Sequence, residues 1–410
     1  MSVPHMDFQD SSDKQLLKGS HRICTAQETL ARIVPMMHDF GITRVANVTG
    51  LDRISVPVAI AIRPNARSIA ISQGKGATYD HAKASALMEA IEIWHAEHFD
   101  RAVFYASAAD LSAKHDFIDL ARLPQTPGPI PRRTLRMHWV MATDLMSDTQ
   151  KLVPLEMVHA DYTHPASQDT GYFPASTNGL ASGNHPLEAI CHAICEVIER
   201  DALAVWHHLP QDAQRATRLD PGSVTEAVAR ETLGKFQEAG LSCALWDVTT
   251  DVGVASVLCV IHEAGSPEGH LGLGSGTHPD PAIALNRALN EAAQTRLNYI
   301  TGAREDLFHD EFSSEGRQQK IDAFADLLTD QTGMRRFETL PGAINETLQA
   351  DLTWLKARLS AVGIDEIAVV DLTREEFGIP VIRVIIPGLE APHDDDAYVM
   401  GERARRGNAP

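Results

Sequence analysis

Residues 74–97 read GKGATYDHAKASALMEAIEIWHAE, and residues 178–206 read NGLASGNHPLEAICHAICEVIERDALAVW. In the first stretch Glu89 and Glu92 stand thirteen and sixteen residues after Gly76, and in the second Glu196 and Glu199 stand at the same distances from Gly183. A third copy, GSGTHPDPAIALNRALNEAAQTRL, begins at Gly274; counted from Gly276, it is two residues longer before its polar pair, Glu291 and Gln294. A spacing of i,i+3 puts both side chains of a pair on one helix face. The rest of each helix is Ala, Leu, Ile and Met, so each is expected to be largely buried. Like charges there repel and are costly to desolvate unless something positive neutralises them. The bland reading of one such pair is a solvated face or a structural ion pair. Three copies point further: converging acids and an amide suit a hard cation such as Mg2+, which commonly brings phosphates with it.

The composition sets bounds around this pattern. A chain of 410 residues, 44 % apolar, can build one large core or two to three ordinary ones. The formal charge of −19 and the absence of a long basic run disfavour direct nucleic-acid binding. ATP stays compatible, because Mg2+ and a few local Lys or Arg offset the acidity. Cys24, Cys191, Cys195, Cys243 and Cys259 are too few and scattered for a disulfide framework, which suits a reducing cytosol. No signal peptide and no apolar run of about 18 residues is seen, so no membrane partner is expected. The chain reads as cytoplasmic.

Residues 1–20 are polar and aperiodic, and read as a mobile arm; residues 21–410 read as a single α+β domain. A helix from about Thr25, then Gly41, leads into the strand pair ITRVANVTGLDRISVPVAIAI. The design recurs over 223–262, with Gly240, and over 345–386, with Gly363. Its shared core is Asn47-Val48-Thr49, Asp247-Val248-Thr249 and Asp371-Leu372-Thr373, each followed by a turn and a β-branched strand. Residues 139–157 read as a fourth strand pair, and 122–136, 161–175 and 303–318 as loops.

No Walker-type phosphate loop is present. The glycine clusters Gly272-Leu273-Gly274-Ser275-Gly276 and Gly74-Lys75-Gly76 could bring backbone N–H groups to a phosphate. Lys75 is a phosphate candidate, or else a surface lysine. Arg200 either pairs locally or clamps a phosphate. Cys191, His192 and Cys195 have metal-ligand chemistry, but their Ala and Ile neighbours favour small buried thiols. His207-His208 and His393-Asp394-Asp395-Asp396 also resemble ligands, the latter reading as a solvated loop.

Several motifs together, in order, resemble the YcaO family: Ser85-x-x-x-Glu89-x-x-Glu92, the STNGLASG run of 176–183, Glu188, Glu196-x-x-Glu199-Arg200-Asp201 and Glu291-x-x-Gln294. The resemblance extends to Gly378-Ile379-Pro380-Val381 and Pro387-Gly388-Leu389-Glu390. RVANVTGLDRISVPV (44–58) and NARSIAISQGKGAT (65–78) resemble the subgroup that works with TfuA-like partner proteins. It implies a YcaO-like fold and an enzyme that uses ATP to phosphorylate the oxygen of a peptide or protein backbone amide. A sulfide equivalent attacking the activated carbon gives a thioamide; a neighbouring Cys, Ser or Thr gives an azoline. By the same resemblance Glu89, Glu92, Glu196 and Glu199 hold Mg2+ and nucleotide phosphates, with Glu188 as a further member and Arg200 on a phosphate. Arg22 and Thr29 fall near the nucleotide, and Gln294 and Arg296 match a third polar cluster. A homodimer is a further implication.

Two departures shape the expectation. Ile93 stands where many members have Arg, and the ending GERARRGNAP lacks the Pro-x-Pro-x-Pro of azoline-forming members. Thioamide formation on a precursor peptide or protein, with a TfuA-like partner, therefore leads. An azoline-forming cyclodehydratase and a non-catalytic scaffold for another modifying enzyme are the rivals.

Overall fold

The computed structural model describes residues 13–17, 19–128, 131–163, 170–263, 270–329, 333–394 and 397–407. The fold is α+β, and three of its sheets each deliver the chain into one glutamate helix. Strand Ile71–Lys75 pairs antiparallel with Val58–Ile62, itself paired with Arg44–Asn47, and runs into helix Tyr79–Glu97. Strand Leu180–Ser182, at the edge of a seven-stranded sheet, runs into helix Pro186–His207. Strand Gly272–Thr277, at the edge of a four-stranded antiparallel sheet, runs into helix Pro281–Thr301.

Each reversal is set by local chemistry. Thr78, His185 and Asp280 cap the three helices by accepting from backbone N–H groups of His81, Leu187 and Ala282. Pro186 and Pro281 follow two of these caps directly, where a missing N–H costs nothing. Counted from the cap, the polar pairs fall in one register: 78 to 89 and 92, 185 to 196 and 199, and 280 to 291 and 294 are all steps of 11 and 14. The two extra residues of the third copy lie before its cap and leave the helical register unchanged.

The glycines let helix and strand meet at backbone distance. A Cβ on Gly74 would stand 2.1 Å from both the Ala82 carbonyl oxygen and the Ala86 nitrogen. On the third unit Gly272, Gly274 and Gly276 face the carbonyls of Ala292, Ala288 and Ala284 at 2.3, 2.3 and 2.1 Å from the same hypothetical atom. Alternate strand residues share a face, as do helix residues four apart, so a Gly-x-Gly-x-Gly strand fits an Ala-x-x-x-Ala-x-x-x-Ala helix. Gly74, Gly272, Gly274 and Gly276 are thus packing surfaces within paired strands, while Gly76, one residue past its strand, lines a cavity.

The repeated Asn/Asp-x-Thr core also has a physical cause. The side-chain oxygens of Asn47, Asp247 and Asp371 accept from the N–H of Thr49, Thr249 and Thr373 at 3.0, 3.1 and 2.8 Å. The threonine hydroxyls then accept from Val58, Ser256 and Val381 at 3.1, 3.1 and 3.2 Å, opening the returning strand. Gly240 and Gly363, at φ +70° and +77°, end the preceding helices in the left-handed region open to glycine.

Three expectations change. Residues 1–12 lie outside the described part, but Asp13 bridges Thr347, Lys14 pairs with Asp351, and Gln15–Leu16 pairs with His21–Arg22, so this end of the expected arm is tied down. The expected loop over 303–318 gives way to a short 3-10 turn, His309–Phe312, and a helix from Ser314. His393 is not simply solvated: its ring meets that of His207 at 4.0 Å, and burial lowers its pKa to about 4. Asp395 and Asp396 lie outside the described residues. Among the described residues no helix is long and apolar enough to cross a membrane.

Candidate active site

The glutamate pairs of the first two helices and Glu291 of the third face a common space. A cavity of about 510 Å³ is lined by Arg22, Thr29, Lys75, Glu89, Glu92, Glu188, Glu196, Glu199 and Arg200, nine of the eleven residues anticipated above. Glu291, Arg287 and Arg304 complete a wall of six carboxylates and five cations.

Each side chain is held by its surroundings. Glu92 accepts from the Ser182 N–H at 2.8 Å and the Ser182 hydroxyl at 2.9 Å, which joins the first helix to the strand that starts the second. Glu199 is buried; one oxygen accepts from the Ser275 hydroxyl at 2.8 Å, and the other has no hydrogen-bond partner. Lys75 reaches Glu291 at 3.1 Å, linking first and third units. Glu188 accepts from the Ile23 N–H at 3.2 Å and lies 3.5 Å from Arg22 Nε. Thr29, on a helix capped by Thr25 and Glu28, donates to Asn184 at 3.2 Å.

Desolvation dominates the electrostatics. It raises Glu89 to about 7 against the pull of Lys75 and Arg304, and raises Glu92 well above the usual range, with Glu89 and Glu196 adding repulsion. Glu196 is raised by burial despite Arg200. Glu291 goes the other way: burial opposes ionisation, but Lys75 and Arg200 outweigh it and lower its pKa. Burial thus pushes Glu89, Glu92 and Glu196 toward their protonated forms in the unliganded cavity. Added positive charge would let them ionise.

Gln294 and Arg296 do not line the cavity. Gln294 donates to Gln73, a lining residue, at 3.2 Å. Arg296 turns away to a buried ion pair with Asp52 at 2.9 Å and to the His270 carbonyl at 3.0 Å, which is a structural role. Cys191 and Cys195 are buried, with thiols raised by desolvation, as small core residues are. Arg287 and Arg304 escaped the sequence reading. Arg287 was findable, being one turn before Glu291 on the same face; Arg304 lies past the helix end, where no periodicity points to it. Among the described residues no three His, Cys, Asp or Glu side chains are grouped closely enough to hold a metal ion by themselves.

Comparison with known proteins gives the family and the fold. The family model described as YcaO cyclodehydratase, ATP- and Mg2+-binding, matches residues 73–390. An uncharacterized protein in a tfuA 3′ region of Rhizobium leguminosarum bv. trifolii is 35 % identical over 393 residues, covering 93 % of this chain and 92 % of its own. An uncharacterized protein of Methanothermobacter thermautotrophicus is 35 % identical over 385 residues, covering 92 % and 97 %. Among solved structures, YcaO from Methanopyrus kandleri bound with AMPPCP and Mg2+ shares the fold at TM-score 0.75 and 24 % identity, over 95 % of this chain and 99 % of that one. A heterocyclase in complex with substrate and cofactor superposes at TM-score 0.80 and 23 % identity over 96 % of this chain, which spans 55 % of its length. The chain belongs to the YcaO family, whose model is described as ATP- and Mg2+-binding.

Proposed function

We propose that this protein uses ATP and Mg2+ to phosphorylate the oxygen of a peptide or protein backbone amide, and that the activated amide becomes a thioamide with a TfuA-like partner. The observation that carries the reading is the cavity itself, with paired acids from two helices, a further acid on a third and cations between them. The donor set fits the cofactor. Glu199 presents a buried carboxylate oxygen with no partner, and Glu89, Glu92 and Glu196 are acids whose ionisation awaits positive charge. Glu89, Glu92, Glu196 and Glu199 would hold the metal. Since these side chains alone do not close a metal site, the remaining ligands would be phosphate or water oxygens, the usual case for Mg2+. When bound, Mg2+ neutralises charge on phosphoryl oxygens.

The chain's own residues do the rest. Arg200, Lys75 and Arg22 offer cations to the phosphates, with Glu188 and Thr29 framing the nucleotide. Transfer breaks the bond from the γ-phosphorus to the ADP oxygen and forms one to the amide oxygen. Hydrosulfide then adds to the amide carbon, the carbon–oxygen bond breaks, and phosphate carries the oxygen away. An amide oxygen is otherwise a poor leaving group, so positioning and charge stabilisation are the main demands on the site. Support for the partner comes from the Rhizobium relative, named for its place in a tfuA 3′ region.

The test is the intact mass of short peptides encoded beside the gene, after incubation with this protein, its partner, Mg-ATP and sulfide. A gain of about 16 Da, oxygen replaced by sulfur, is expected. A loss of about 18 Da would mark dehydration to an azoline instead. No change with every neighbouring peptide, while ATP is bound, would favour the scaffold.

A further inference from the structure

Counted from the three caps, Ser85, His192 and Arg287 occupy one register, seven residues in and one turn before Glu89, Glu196 and Glu291. All three line the cavity. Two of them meet: Arg287 Nη1 lies 2.8 Å from His192 Nδ1. A guanidinium only donates, so Nδ1 accepts, the proton sits on Nε2 and the ring is neutral. Burial, and then the charges of Arg287, Arg22 and Lys75, keep it neutral.

The contact ties the second glutamate helix to the third one turn from their acids. Among the described residues no ion pair to Arg287 is formed. A carboxylate at position 192 would also orient the guanidinium but would cancel its charge; a neutral imidazole orients it and leaves the charge for an anionic ligand. We infer that His192 is a positioning residue, which holds Arg287 in the cavity with its charge available to the phosphates of the bound nucleotide. The inference rests on the reading of this cavity as the Mg-ATP site.

The test is the affinity of the full chain for Mg-AMPPCP, with thermal unfolding as a check on folding. His192→Leu is expected to weaken binding about tenfold at an unchanged unfolding midpoint. His192→Asn, whose amide oxygen can accept in place of Nδ1, is expected to restore it. If His192→Leu fails to fold, His192→Ser, too short to reach Arg287, takes its place. Arg287→Met should lose about as much as His192→Leu, and the double variant no more than either, because one removes what the other positions. Wild-type affinity in His192→Leu, or losses that multiply in the double variant, would overturn the inference. A wild-type chain that does not bind Mg-AMPPCP would instead overturn the nucleotide reading.

Discussion

Replacing Gly74 with alanine adds one methyl group where the first glutamate helix lies on its strand. The new Cβ would stand 2.1 Å from the Ala82 oxygen and the Ala86 nitrogen, while ordinary contact begins at 3.4 Å. Both are backbone atoms that cannot rotate aside, so strand and helix must part by about 1.3 Å (3.4 − 2.1). Overpacking of this kind costs about 1–3 kcal/mol, and the double contact puts this variant at the upper end. Glu89 and Glu92 lie on the displaced helix, one to two turns beyond Ala86, so they shift against Glu196 by a similar distance. A misplacement of about 1 Å can lower turnover about a hundredfold. Urea unfolding and nucleotide turnover on the same preparation read both effects. The control is Gly234→Ala, inside helix Ala227–Glu238 with nothing within 4 Å, where the methyl group should add about 0.5–1 kcal/mol. A Gly74→Ala chain as stable and active as wild type would refute the close-packing argument.

Two further predictions concern the acids and the buried arginine. Because Glu89 titrates near 7 in the unliganded protein and a cation needs its ionised form, Mg-ATP affinity should fall about tenfold between pH 8 and pH 6, and calorimetry in buffers of different ionisation enthalpy should detect proton release on binding. The stability sign follows: a carboxyl raised from 4.5 to about 7 favours the unliganded fold while protonated, and that contribution is lost as pH rises through this window. A flat pH profile of affinity would count against Glu89 as a ligand. Glu199→Gln should weaken Mg-ATP binding by about two orders of magnitude with little change in unfolding midpoint. Arg296→Met should do the reverse: it leaves Asp52 buried and unpaired, costs about 3–5 kcal/mol of stability and leaves the affinity unchanged.

The pattern of acids is legible in the sequence because a capped helix fixes the register of everything after the cap. The eye counts from the glycine, so the third copy looks two residues out of step; the structure counts from Thr78, His185 and Asp280, and the offset vanishes. Asn47, Asp247 and Asp371 are legible as turns because they bond a backbone N–H two residues on. What is hidden depends on long-range pairing. Nothing near Arg296 in the chain announces Asp52, and nothing near Glu188 announces the Ile23 N–H. The glycines mislead for a related reason: a phosphate loop and a helix-packing strand both need a missing side chain, and only the facing alanines separate them.

The central claim is that the amide oxygen itself is phosphorylated in the glutamate-lined cavity. A substrate peptide carrying oxygen-18 at the modified amide carbonyl, incubated with this protein, its partner, Mg-ATP and sulfide, tests it most directly. The account predicts that the label leaves the peptide and appears in inorganic phosphate, one labelled phosphate for each amide converted. Modified peptide formed with the label in water, or with unlabelled phosphate, would contradict it.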